Sequence, residues 1–300
     1  MMVTARGSVL GVLQWQSAHV VRYAASGGLA AGVHGILGWD FMVLPVVPLS
    51  IVGAALGIFL SFRANSAYER WWEGRRLWGG LVNTSRMLTS QVLGYVADDA
   101  RPRAERVVHR HLAFVHALRC QLRDQDPLAD AEVVARLDPA DVDGVRGRSN
   151  VAYALLHRQQ LDLAGLHRAG AFDGWAMQSL DRSVAALLDV QGGCERIKRT
   201  PLPRGYAFLI DTLLSAFALL LPWALVADLS WLVIPMNILV CGSFLLISET
   251  GRVLEDPFSL FWNGLPLSAL SRTIEINVRE ALGDRDLPPA HQPDAHGILM

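Results

Sequence analysis

Apolar residues arrive along this chain in two long blocks, with shorter stripes of helical spacing between and after them. Phe41 to Phe62, in the first block, is twenty-two residues without a charge. At about 1.5 Å of rise per residue, that run crosses a hydrocarbon layer of roughly 30 Å. Each block is close to two spans long and is interrupted near its middle, a pattern that predicts a helical hairpin. The first hairpin is expected to run from Tyr23 to Leu37, turn at Gly38, Trp39 and Asp40, and return to Phe62. The second runs from Tyr206 to Val226, turns around Asp228, and returns from Trp231 to Ser248.

The intervening region reads as helix throughout. Val107, Leu112, Val115, Leu118 and Leu122 fall on one stripe, with Arg106, Arg110, Arg119 and Arg123 mostly outside it. Asp126 and Pro127 close that helix, a polar connection follows from Asp138 to Asn150, and helical patterning resumes over Val151–Leu166 and Trp175–Val190. The expected architecture is all-α, with four transmembrane helices and a helical cytosolic domain. Its boundaries are an N-terminal segment and first hairpin at 1–62, a cytosolic domain at 63–204, a second hairpin at 205–250, and a cytosolic tail at 251–300.

Charge sharpens this picture. Between Arg22 and Arg63 the only formal charge is Asp40, and between Arg204 and Arg252 there are only Asp211, Asp228 and Glu249. All 27 Lys and Arg residues lie outside these windows. The positive-inside rule therefore puts both termini and the central region in the cytoplasm, as expected of a multi-pass protein of the inner (plasma) membrane. Composition agrees, at 52% hydrophobic and 18% charged residues. Buried helices of a soluble core would leave runs of about twenty residues without a polar face. Val9 to Trp15 follows a single Arg6 and leads to no small-residue cleavage site, so it reads as an interfacial segment rather than a signal peptide. Three scattered cysteines, Cys120, Cys194 and Cys241, imply no disulfide framework.

Candidate chemistry is sparse. His109 and His116 lie two helical turns apart with His111 between them, but no Cys, Asp or Glu stands at metal-site spacing, so they read as solvated or packed histidines. The glycine-rich nucleotide loops, nucleophile elbow and zinc-protease motif are all missing. Neither an enzyme nor a cofactor, a metal or a nucleic-acid partner is expected.

The second span offers geometry instead. Val47, Ile51, Ala55, Ile58 and Phe62 share an arc of about 80°, while Gly53 and Gly57 form a G-x-x-x-G on a separate face. Beyond it the collar RANSAYERWWEGRRLWGGLVN places Tyr68, Trp71, Trp72 and Trp78 for headgroup contact. Arg63, Arg70, Arg75 and Arg76 are placed to meet lipid phosphates, with Glu69 and Glu73 pairing along the helix. Trp71, Trp72, Arg75 and Arg76 form the expected interfacial anchor.

That collar resembles the bestrophin family, especially its bacterial branch. RHLAFVHALRCQLR, VQGGCERIKRTPLPRGYAF, LEDPF and LPLSALSRTIEINVREALG follow in the family's order and extend the similarity over most of the chain. The resemblance implies a homopentameric channel with one axial pore, passing small monovalent ions. It implies a hydrophobic neck at Val47, Ile51 and Ala55, the last smaller than the family's usual residue, and a cytosolic aperture near Met177, Gln178 or Leu180. Chloride or another anion is favoured, and a sodium-type cation channel of the same architecture is the alternative. Acidic rings at an outer mouth, from Asp40 and Asp228, would favour cations. Eukaryotic members hold calcium where this chain has LEDPF, but Glu255 and Asp256 alone fall short of the six to eight or so oxygens calcium takes, so calcium gating is not expected. More distant alternatives are a secondary transporter, for which Asp211 is the candidate coupling carboxylate, and a membrane scaffold.

Overall fold

Residues 1, 16–295 and 297–299 are described by the computed structural model, and every regular element among them is helical. The expected interfacial segment Val9 to Trp15 lies outside the described residues. Ten α-helices follow in order: α1 (Ser17–Leu37), α2 (Val46–Tyr95), α3 (Arg101–Leu122), the short α4 (Ala131–Val134) and α5 (Pro139–Val145), α6 (Val151–Arg168), α7 (Gly174–Arg199), α8 (Arg204–Leu229), α9 (Val233–Glu255) and α10 (Leu267–Leu282).

The chain divides into two compact units, one comprising Ala5–Arg70 and Pro201–Glu255, the other mainly Trp71–Thr200 and Asp256–Met300. The first, apolar unit contains both hairpins. Gly38 ends α1 in the left-handed conformation at φ +67°, its N–H returning to the His34 carbonyl. A 3-10 turn at Ser230–Leu232 separates α8 from α9. The segments Asp40–Tyr95 and Gly205–Glu255 are long and apolar enough to cross a membrane. α1 has the length, but its small and polar residues make it less apolar. Several hydroxyl side chains within these helices bond back one turn, as Ser61 does to the Gly57 carbonyl and Ser215 to that of Asp211, which satisfies those donors on an apolar face.

Small residues set the spacing inside this unit. A Cβ on Gly27 of α1 would lie 3.0 Å from Ile234 Cα on α9, and one on Gly53 of α2 would meet the Phe217 ring of α8 at 3.1 Å. The G-x-x-x-G therefore packs against neighbours in the same chain. Asn237, fully buried on α9, donates to the carbonyls of Tyr23 at 2.9 Å and Ala218 at 3.3 Å, joining three helices through one amide.

The second unit packs the later part of α2 with α3, α6, α7 and α10 around Trp78, Leu81, Phe114, Leu155 and Phe258. Asn150 and Asp173 cap α6 and α7 by accepting from the backbone of Tyr153 and Ala176. The collar continues the second span, because nothing between Phe62 and Tyr95 breaks the helix and α2 runs on for 50 residues. Three expectations change here. Trp78 is fully buried in this core, so it is not at headgroup level. The connection from Asp138 to Asn150 contains α5. Arg110, expected outside the apolar stripe, is buried because Asp141 and Asp162 close on its guanidinium.

Candidate functional site

The membrane-length half of α2 has two unlike sides. Leu49, Leu56, Leu60, Arg63 and Ala67 are buried and, at about 100° per residue, share an arc of roughly 60°. Facing away from them, Val47 is 70% exposed, Ile51 66%, Ile58 57% and Phe62 60%, so large apolar side chains stand uncovered along the helix. Ala55 is only partly exposed and lies at the margin of that stripe.

The buried side ends in a charge cluster. Arg63 Nη1 donates to Asp211 Oδ1 on α8 at 3.3 Å and to Ser248 Oγ on α9 at 3.2 Å. Arg252 holds the other Asp211 oxygen at 3.2 Å and Glu249 at 2.9 Å. Arg63 therefore does not point to a phosphate layer, as the collar reading has it. Burying a guanidinium is tolerable only with such partners, and they came from segments far away in sequence. Asp211, the transporter reading's coupling carboxylate, is shared between two arginines.

The remaining expected residues scatter. Of the anchor set, Trp72 and Arg76 are exposed, Arg75 is half-buried, and Trp71 donates its indole N–H to the Asn263 carbonyl at 2.9 Å. Glu73 pairs with Arg196 of α7 rather than along its own helix. Among the aperture candidates on α7, Gln178 is exposed, Met177 packs against the core, and Leu180 is completely buried. A side chain with no exposure lines no opening, so Leu180 is a core residue. Asp40 and Asp228 are both exposed, and Asp40 lies 3.1 Å from His34 Nδ1.

Charge networks brace the second unit. Buried Glu275 of α10 meets Arg136, Arg272 at 2.9 Å and His116 at 3.4 Å. Burial alone would raise its carboxyl, but the His116 contact and the arginines outweigh that and hold it at about 2. His116, Glu132 and Glu275 present ligand atoms within 4.8 Å of one another. Sequence spacing gave no sign of this grouping. The arginines around Glu275 already supply its positive charge, which makes the group a poor cation site. His111 is fully buried with neither ring nitrogen hydrogen-bonded, and burial lowers it to about 4. At the LEDPF turn, Lys198 Nζ lies 2.8 Å from Asp124 and 3.1 Å from Asp256, while Glu255 accepts from the Leu202 backbone N–H. Cys120, Cys194 and Cys241 are buried free thiols.

A family model described as Bacterial/Fungal Bestrophin protein matches residues 1–280. Among curated relatives, a voltage-dependent anion channel-forming protein of Mesorhizobium japonicum is 38% identical over 85% of this chain and 80% of its own length. One of Escherichia coli K12 is 34% identical over 84% and 81%. Among solved structures, a bacterial bestrophin homolog from Klebsiella pneumoniae superposes with a TM-score of 0.82 at 30% identity, over 89% of this chain and 98% of that one.

Proposed function

This chain belongs to the bacterial and fungal bestrophin family, and from that premise we propose that it conducts small monovalent anions, chloride foremost, across the cell's inner membrane. In this reading five copies surround an axis. α1, the first part of α2, α8 and α9 are the four spans of each copy, with both termini and the Trp71–Thr200 unit in the cytoplasm. Lipid acyl chains and headgroups are the other partners.

One observation carries the reading: the uncovered apolar stripe of α2, opposite a buried side that ends in the Arg63 cluster. A lone helix face of this kind would simply meet lipid. Five such faces around an axis make a hydrophobic constriction, with Val47, Ile51 and Ala55 as its proposed neck. An ion inside loses hydration without gaining partners, so passage requires the ring to hold water. The relatives named as anion channel-forming proteins support the sign of the ion. Exposed Asp40 and Asp228 favour the alternative, a cation pore, should they border its outer mouth. A coupled carrier is less well supported, since Asp211 is already held by Arg63 and Arg252.

Chloride efflux from reconstituted liposomes tests the proposal. A channel gives rapid release that saturates weakly with chloride. Slow saturable exchange would indicate a carrier, and no release at all would indicate a scaffold.

A further inference from the structure

We infer that the groove between α1 and α8 is a binding site for one anionic phospholipid, its phosphate held by Arg22 and His19 and an acyl chain lying on the small residues beneath them. The inference rests on the membrane placement proposed above, in which α1 starts at the cytoplasmic face, and is independent of where the pore lies.

The groove is made by missing bulk. On α1, Arg22, Ala25, Ser26 and Leu29 stand at i, i+3, i+4 and i+7, so a single stripe of that helix lines it. Facing them on α8 are Ser215, Ala218 and Leu219, and the two stripes border a cleft of about 450 Å³, a volume ordinary for a ligand site. Alanine and serine open the trough, while Leu29 and Leu219, 57% and 56% exposed, form uncovered apolar rims. The floor is closed to polar ligands. Ser26 Oγ donates across to the Ala218 carbonyl at 3.3 Å and Ser215 Oγ donates back to the Asp211 carbonyl at 2.7 Å, so neither serine has a proton left to offer.

The mouth has the opposite character. Arg22 is exposed, and its Nε donates to the Ala18 carbonyl at 3.3 Å, which turns the guanidinium back toward the start of α1. Its Nη2 lies 3.3 Å from the His19 ring nitrogens. None of these contacts supplies a counter-charge. Arg252 adds its field at His19, and Glu249, the acid that also acts there, is held by that same arginine at 2.9 Å. Asp211, one turn before Ser215, is shared by Arg63 and Arg252. The mouth is therefore basic and the trough apolar over the seven residues from Arg22 to Leu29, about 10 Å at 1.5 Å per residue. A soluble anion would use the mouth and leave the trough wet. A lipid with a negative headgroup uses both.

Native mass spectrometry of the full chain in detergent, loaded with phosphatidylglycerol or phosphatidylcholine, tests this on the native protein and on Arg22→Gln, Arg22→Lys and Ala25→Leu. Retention of phosphatidylglycerol about fivefold above phosphatidylcholine is expected, the increment of one basic residue at an anionic headgroup. Arg22→Gln should abolish that preference and Arg22→Lys keep it, while Ala25→Leu, which fills the trough at an exposed position, should reduce retention of both lipids. Glycerophosphoglycerol, the same headgroup without chains, should not displace the lipid. Equal retention of the two lipids, a preference that survives Arg22→Gln, or displacement by the bare headgroup would overturn the site. So would the absence of any adduct together with loss of the oligomer in Ala25→Leu, which would show a second copy of the chain filling the groove. Chloride efflux from liposomes is read separately: flux that persists without a lipid preference removes the site and leaves the channel standing.

Discussion

Arg63 of α2 and Asp211 of α8 face each other across 3.3 Å at the end of the apolar unit, 148 positions apart in sequence. The arginine is buried and the aspartate half-exposed, and Ser248 on α9 takes a second hydrogen from the same guanidinium nitrogen. One side chain therefore pins the proposed pore helix to both members of the second hairpin. Its neighbour Phe62 is thereby turned outward.

Asp211→Asn leaves that guanidinium buried without its counter-charge. Because half of the partnership is open to solvent, the expected loss is about 1–3 kcal/mol rather than the larger figure for a sealed pair. Thermal unfolding in detergent reads it as a lower midpoint. Arg63→Met combined with Asp211→Asn should recover part of the loss, and strict additivity of the two single changes would mean they do not interact.

The helices of the two hairpins were legible because charge is excluded over long runs, and Gly38 marked the first turn because it supplies the positive φ that ends α1. The G-x-x-x-G was legible too, as a face for close packing. Pairing at long sequence distance was not. Arg63 in a basic, aromatic collar looks like a phosphate ligand until Asp211 and Ser248 are brought to it, and Arg110 looks solvated until Asp141 and Asp162 arrive from 31 and 52 residues downstream. Trp78 has the residue type of an interfacial belt, but α2 continues past the collar and carries it into a core. Periodicity did put Ile58 and Phe62 on the same arc as Val47 and Ile51. Only burial shows that Ala55 is the marginal member.

Acid should destabilise the second unit in two stages. His111 is held near 4, below its unfolded value of about 6.5, so the unfolded chain takes up a proton that the folded one refuses, and stability falls as pH drops from about 6.5 to 4. Glu275 is held near 2, below an unfolded value of about 4.3, so its contribution is full above that value and is lost as pH falls toward 2. His111→Phe should flatten the upper stage and Glu275→Gln the lower, in unfolding midpoints measured across pH. An unchanged profile in both variants would contradict the assignment.

Calcium should not act on this protein through the LEDPF turn. Lys198 already places an ammonium between Asp124 and Asp256. Burial opposes its charge, but the two carboxylates more than compensate and raise its pKa. Adding millimolar calcium is expected to leave the melting temperature and the currents unchanged, whereas Lys198→Met, which exposes the acids, should lower stability. Calcium-dependent opening of the native channel would refute this.

Gly27→Ala should loosen the apolar unit. The new methyl meets Ile234 Cα at 3.0 Å, a backbone atom that can yield only if α1 and α9 move apart. A cost of about 1–3 kcal/mol is expected for such overpacking, read as a lower melting temperature in detergent. No change would mean that α1 and α9 are not in close contact.

Whether five uncovered stripes of α2 enclose an anion pathway is tested most directly by the reversal potential of reconstituted channels under a potassium chloride gradient, recorded for the native chain and for Ile51→Ala. Reversal near the chloride equilibrium potential, with a larger unitary current in Ile51→Ala, is the expected result. Reversal near the potassium equilibrium potential, or currents that Ile51→Ala leaves untouched, would contradict it.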